Sequence, residues 1–252
     1  MKLPRARHRW NLTPKQAIRL QKRLATEIEQ VPLCKSSRLV AGSDAAFTPD
    51  GEHIIAGWVV WDIQAKAVVD SALARRPVRF PYVPGLLSFR EAPALIAAAR
   101  KLTVEPDVFM FDGQGLAHPR RLGLACHVGL LIDRPSLGCA KSRLCGTPAP
   151  KSPRSWPGGT NKQEVSPQPR SALLQDILAD TAGASCPLIH NGERIGRILR
   201  TREGVKPIYV SIGHKITLKD ATRLTLRCCT KYRLPEPTRL AHQFVTRHRH
   251  TV

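Results

Sequence analysis

Acidic residues are scarce in this chain. Among 252 residues there are 19 Asp plus Glu against 40 Lys plus Arg, a formal charge of +21 and a pI near 10.5. Such an excess concentrates polyanions at the surface, and nucleic acid is the commonest polyanionic partner. Long apolar runs are also missing. None approaches the ~20 residues that a membrane-spanning helix needs, and no apolar stretch follows the basic start Met1–Trp10, which excludes a secretory signal. A soluble, cytoplasmic protein with no membrane partner is expected, working as a monomer. The seven cysteines (34, 126, 139, 145, 186, 228 and 229) contain no C-x-x-C pair and are odd in number. That excludes a regular disulfide framework or zinc knuckle and leaves reduced, mostly buried small apolar residues. No G-x-x-x-x-G-K-[ST] run is present, so a nucleotide P-loop is excluded. There is no internal repeat.

What is there is a folding chain. Hydrophobic residues make up 42% and charged residues 23%, the balance of a globular protein. Residues 12–30 carry Ile18, Leu20, Leu24 and Ile28 at helical spacing, with Thr13 as cap and Pro14 in the first turn. Leu39–Phe47, Ile54–Trp61 and Ala67–Leu73 read as strands. Thr48-Pro49-Asp50-Gly51 makes a hairpin turn between the first two. A helix over Pro93–Leu102, a doubly buried strand at Val108–Phe111, a helix over Leu122–Ile132 and a strand at Ser136–Ala140 follow. Residues 147–170, dense in Pro, Ser, Gly and Lys, read as an exposed insertion. Strands near Pro187–Ile189, Arg194–Leu199 and Pro207–Ile212 and a helix over Leu218–Cys229 come last. The order predicts an α/β fold in one domain, with a mixed central sheet flanked by helices. The domain spans residues 12–245, between a basic N-terminal segment (1–11) and a basic tail (246–252); the histidines towards that end, His242, His248 and His250, read as part of a solvated basic stretch and not as a metal site.

Three carboxylates need a reason. Asp44 interrupts the first strand, where Asp is disfavoured. Asp112 follows the buried strand Val108–Phe111, and Glu91 stands just before the helix expected from Pro93. A charge at the carboxyl end of a buried strand costs desolvation energy unless a cation or donor meets it. Ligands of α/β sheets gather at those ends, and hard divalent cations prefer carboxylate oxygens. Each residue also has a plain reading: Asp112-Gly113 is a common turn pair, and Ser88-x-x-Glu91 matches a capping box. Together, in so basic a chain, they point to metal-assisted phosphodiester hydrolysis with one or two ions. His214, in the turn after Ile212, is a candidate base or ligand. Lys141, beyond the strand Ser136–Ala140, is placed to neutralise phosphate charge unless it is an ordinary surface lysine. Pro81-Tyr82-Val83-Pro84-Gly85 is a stiff loop with an aromatic tip, a plain turn or a wedge between bases. In Asp112–Gly123, glycines allow close approach to a base or phosphate, and Arg120 and Arg121 suit phosphates.

These residues fall in blocks that resemble the endonuclease V family: AGSDAAF (41–47), PYVPGLLSFRE (81–91), DGQGLAHPRRLG (112–123), GCAKSRLCG (138–146), IGHKITL (212–218) and YRLPEPTR (232–239). The resemblance runs over about residues 12–245. It implies a ribonuclease H-like fold, with metal aspartates at Asp44 and Asp112 and active-site residues at Glu91, Lys141 and His214. It implies a wedge at Pro81, Tyr82, Val83, Pro84 and Gly85. It implies a pocket for the flipped hypoxanthine that includes Leu87, Gly113, His118 and Gly123. The implied activity is DNA repair: Mg2+-dependent cleavage (Mn2+ as a substitute) of the second phosphodiester bond 3′ to deoxyinosine, in single- or double-stranded DNA. Two alternatives stay open: an endoribonuclease for inosine-containing RNA, and a non-catalytic binder of damaged nucleic acid.

Overall fold

The computed structural model describes residues 1–34, 36–149 and 178–249. Its first helix, α1 (Pro14–Ala25), starts as the sequence predicts, with a Thr13–Gln16 capping box and Pro14 at the first position. It stops short of residue 30 because the chain there serves the sheet. The Glu29 amide donates to His214 Nδ1 (3.3 Å), and its carbonyl accepts from the Lys215 amide (2.8 Å).

Nine described strands form one sheet. They are β1 (Leu39–Phe47), β2 (His53–Asp62), β3 (Ala67–Pro77), β4 (Val108–Phe111), β5 (Ser136–Ala140), β6 (Thr147–Pro148), β7 (Ser185–His190), β8 (Glu193–Leu199) and β9 (Ile208–His214). Their spatial order is β3-β2-β1-β4-β5-β9-β8-β7-β6. Only β1–β4 and β4–β5 are parallel; every other pair is antiparallel. The expected mixed sheet is therefore present. Thr147 and Pro148, expected in the insertion, pair with Ile189 and Leu188 as an edge strand. The rest of the expected insertion from residue 150 onward lies outside the described residues.

Helices cover both faces. On one face α2 (Leu87–Ala99) and α3 (Leu124–Ile132) pack over Trp58, Phe109 and Phe111. The Trp58 ring meets both phenylalanines edge-on at 5.0 and 5.1 Å, and its indole N–H donates to the Leu95 carbonyl at 2.8 Å. Emptying such a position typically costs about 3–5 kcal/mol. On the other face lie α4 (Leu218–Cys228) and α5 (Glu236–His248). There α5 crosses β1 so closely that a Cβ on Gly42 would fall 2.0 Å from the Pro237 backbone. The helix runs through the expected tail boundary, because Ala241 and Val245 are buried at helical spacing. Four of the seven cysteines, Cys126, Cys139, Cys186 and Cys228, are buried.

Candidate active site

The parallel pairing of β1 and β4 fixes the first two carboxylates. Ser43 pairs with Phe111, so Asp44 and Asp112 are the next residues on neighbouring strands, at the same level and on the same face. In the next parallel register Phe111 pairs with Gly138, which brings the residue after β5, Lys141, to that same edge. Its Nζ lies 2.6 Å from Asp112 Oδ2. From above, α5 lowers His242, whose Nδ1 donates to Asp44 Oδ2 at 3.1 Å. Both aspartates are largely buried.

The third carboxylate comes from the opposite face. The sequence predicts Glu91 ahead of a helix beginning at Pro93; instead α2 begins at Leu87 and carries Glu91 inside it, with Pro93 in its interior. An interior proline forfeits a helical hydrogen bond, but Phe89, Ala92 and Leu95 are buried on either side of it, and packing prevails. Ser88 caps nothing; its hydroxyl bonds His127 Nδ1 at 2.9 Å.

The electrostatics show three like charges in one place. Burial pushes the Asp44 carboxyl up, its bond to His242 opposes this, and Asp112 pushes it further. Burial, then Asp44 and Asp112, push Glu91 up to about 8, with Arg90 pulling the other way. A buried carboxyl that two neighbouring carboxyls push further upward lies where negative charge gathers. An oxygen donor set of this kind fits a hard divalent cation such as magnesium. The ligand atoms are not drawn as tightly as at a second place. Among the described residues, the three side chains of His, Cys, Asp or Glu type whose ligand atoms all fall within 4.8 Å of one another are Asp50, Glu52 and His53. That group is the β1–β2 turn expected from the sequence. Asp50 is already occupied by the Thr48 hydroxyl (2.5 Å) and the Glu52 amide (2.9 Å), so turn chemistry explains it.

Beside Asp112 opens a cavity of about 440 Å³. Leu87, Gly113, His118 and Gly123 line it as expected, with Tyr82, Val83, Pro84 and Gly85 at its mouth; Pro81 is outside the lining. Tyr82 is 72% exposed. The loop behind it is held firmly. Val83–Leu86 is a turn closed by the Leu86 amide on the Val83 carbonyl (2.9 Å), with Gly85 at φ +77°, the place where a Pro-Gly turn needs glycine. The Gly85 carbonyl accepts from three side chains: Arg120 Nη2 (2.8 Å), His118 Nε2 (3.0 Å) and Gln21 Nε2 (3.1 Å). Since the Arg120 amide donates to His118 Nδ1 at 3.1 Å, the imidazole is neutral with its proton on Nε2. Burial first, and the Arg120 charge second, press its pKa down to about 4. The glycine-rich loop divides its labour. Cβ atoms on Gly115 and Gly123 would strike the Ile212 and Gln114 carbonyls at 1.9 and 2.2 Å, so Gly115 allows packing on the sheet and Gly123 lets the loop close on itself. Gly113 has ordinary clearance and faces the cavity.

Two sequence expectations need correction. His214 is not at this site. It ends β9, which runs antiparallel to β5, so it pairs with Ser136 at the far end of the strand that Lys141 follows. There it is buried, bonded to Glu29, with Nε2 3.5 Å from Asp133. The histidine beside the carboxylates is His242, which the sequence reading put with solvated tail residues. Its one available signal was the helical spacing of buried Ala241 and Val245 around it. Arg120 and Arg121, expected at phosphates, are bound within the protein. Arg120 holds Gly85 and Gln21, while Arg121 holds Glu193 (2.8 Å) and the His190 carbonyl (3.0 Å).

Known proteins resemble this chain over most of its length. A family model described as Endonuclease V matches residues 22–243. An endonuclease V of Nostoc punctiforme is 43% identical over 240 residues, covering 95% of this chain and 96% of that one. The structure of the Bacillus subtilis endonuclease V aligns with a TM-score of 0.81 at 31% identity, over 96% of this chain and 94% of that one. A Ciona intestinalis endonuclease V variant, in complex with a 23mer DNA containing an inosine followed by a ribo-adenosine, aligns with a TM-score of 0.74. Its identity is 25%, over 94% of this chain and 98% of that one.

Proposed function

From the premise that this chain belongs to the endonuclease V family of nucleases, we propose that it nicks DNA at the second phosphodiester bond 3′ to a hypoxanthine and leaves the damaged base in the strand. The observation that carries this reading is the juxtaposition of Asp44, Glu91 and Asp112 with a purine-sized cavity roofed by the Tyr82 loop. Asp44, Asp112 and Glu91 would hold magnesium, or manganese in its place, which when bound supplies water activation and charge stabilisation at the phosphate.

The chain's own residues do the rest. Tyr82 enters the stack at the lesion, at a position its latched loop has already fixed, so little entropy is lost on binding. The hypoxanthine turns out into the cavity, where the Gly113 backbone and the Leu87 side chain admit a flat ring. The turning-out costs a few kcal/mol, less at a mispaired base. His118 stays neutral and keeps the wall in place. Lys141, now on Asp112, is within reach of a phosphate there and offsets the charge that develops on it. His242 sits where a proton can pass to the departing oxygen.

A nicking assay on an inosine-containing duplex, with and without Mg2+, tests the proposal. Cleavage that is independent of the ion, or absent with it, would overturn it. The Ciona complex contains a ribonucleotide after the inosine, which favours including inosine-containing RNA strands as a second substrate arm.

A further inference from the structure

A second exposed aromatic ring stands apart from the Tyr82 loop. Tyr232, in the turn between α4 and α5, is 42% exposed. The Arg239 guanidinium carbon lies 4.2 Å from its ring centre, and the exposed Lys231 ammonium lies 5.8 Å away. Arg239 is not loose: its guanidinium grips the buried Glu236 carboxylate at 2.5 and 2.8 Å.

Both ends of this turn are tied to the site. Arg239 precedes His242 by three residues on α5, so the two side chains share a face about 5–6 Å apart at Cβ, and His242 bonds Asp44. On the other side, Arg233 donates to the Lys141 carbonyl at 3.0 Å and to the Pro207 carbonyl at 2.9 Å. Tyr232 is therefore tied through Arg233 and Arg239 to the two chain segments whose Lys141 and His242 side chains touch the aspartates. The cavity is lined by the Tyr82 loop, α2, the loop before α3 and the segment that starts with Lys141, while Tyr232 and Arg239 belong to the α4–α5 side and meet that segment through Arg233. A strand with one base in the cavity and its backbone over Asp44 and Asp112 leaves the site toward Tyr232.

We infer that Tyr232 and Arg239 form a stacking subsite for the base immediately 3′ of the cut bond, the second nucleotide after the lesion. A ring backed by a guanidinium accepts any base through its π-face, so the subsite senses that a base is present and not which one. The inference rests on the proposed cleavage register. A purely structural ring, covering the Glu236–Arg239 pair, would make no distinction between strands with and without that base.

The test uses the full-length wild type, Tyr232→Phe and Tyr232→Ala. Each is given inosine-containing strands with a normal base or an abasic residue at the second nucleotide 3′ to the inosine. Removing the base should slow kcat/KM by about tenfold for wild type and Tyr232→Phe, and should leave Tyr232→Ala unaffected. The same loss in all three proteins overturns the subsite. In a parallel measurement, metal-free protein binds the strand with 2-aminopurine at that nucleotide. Fluorescence should be quenched by wild type and Tyr232→Phe but not by Tyr232→Ala, and quenching that ignores Tyr232 also overturns it. If wild type cuts no inosine strand while quenching still follows Tyr232, the nuclease reading fails and the subsite stands.

Discussion

The two halves of the site are built on opposite principles. The carboxylate cluster at the ends of β1 and β4 is electrostatically unfinished: three acids face one another, and Glu91 is driven up to about 8. The Tyr82-loop wall of the neighbouring cavity is finished, since the Gly85 carbonyl, Gln21, His118 and Arg120 satisfy one another. The contrast teaches where each half's order comes from. A ligand of opposite charge completes the first, whereas the second is rigid before anything binds. Chemistry that needs a cation and recognition that needs a preset shape make these different demands.

Mutations can break the contrast. Asp112→Ala should have the largest effect, lowering cleavage by about a thousandfold or more. Duplex binding measured by anisotropy should change little, because the basic surface remains. A matching loss of binding would mean that the cluster also shapes the cavity. Next comes Gln21→Ala, which strips two donors from buried carbonyls and should destabilise the fold by about 2 kcal/mol. It is read as a fall in the denaturant midpoint with an unchanged slope, and KM should rise more than kcat falls. An unaltered midpoint would show that the loop needs no latch. Tyr82→Ala should reduce the preference for lesion over plain duplex by about tenfold, while affinity for plain duplex holds; equal losses on both would remove the wedge role.

The last effect concerns acid. His118 has its pKa pressed from 6.5 to about 4 in the folded protein, so between those values the unfolded chain binds a proton that the folded one refuses. Its contribution to stability is complete above pH 6.5 and is lost as pH falls toward 4, at no more than about 1.4 kcal/mol per pH unit. His127, lowered to about 3 chiefly by burial, acts in the same direction. Equilibrium unfolding from pH 7 to 4 should show this slope, shallower in His118→Asn. An identical slope in that variant would mean that His118 is protonated without harm. Salt titration separates the halves again: binding should weaken steeply with salt as counterions are released, while the acid slope should scarcely respond.

Much of the architecture was legible in local sequence. Thr13-Pro14, the hairpin turn at 48–51 and the runs 39–47, 108–111 and 136–140 carry their own start and stop signals, and the elements appear there. Glu91 was legible as a site candidate but not its helix, because Pro93 argues locally for a helix start. That preference is outweighed by the burial of Phe89, Ala92 and Leu95. The histidine was misplaced for a different reason. IGHKITL reads the same whichever way its strand runs, and the antiparallel direction of β9 sends His214 away from Lys141. His242 was hidden because its helix packs through small residues, with Gly42 under Pro237, a contact between positions 195 residues apart in sequence.

The sequence by itself determined the chemistry on offer: a basic chain, three carboxylates in places that need a reason, a stiff Tyr82 loop and a glycine-rich approach, all readable from residue types and near neighbours. The tertiary structure alone decided which groups meet. Strand direction and helix placement are set by burying apolar faces from distant stretches against one sheet, and no short run of residues encodes them. That burial brought His242 to Asp44, removed His214, and set Arg239 over Tyr232.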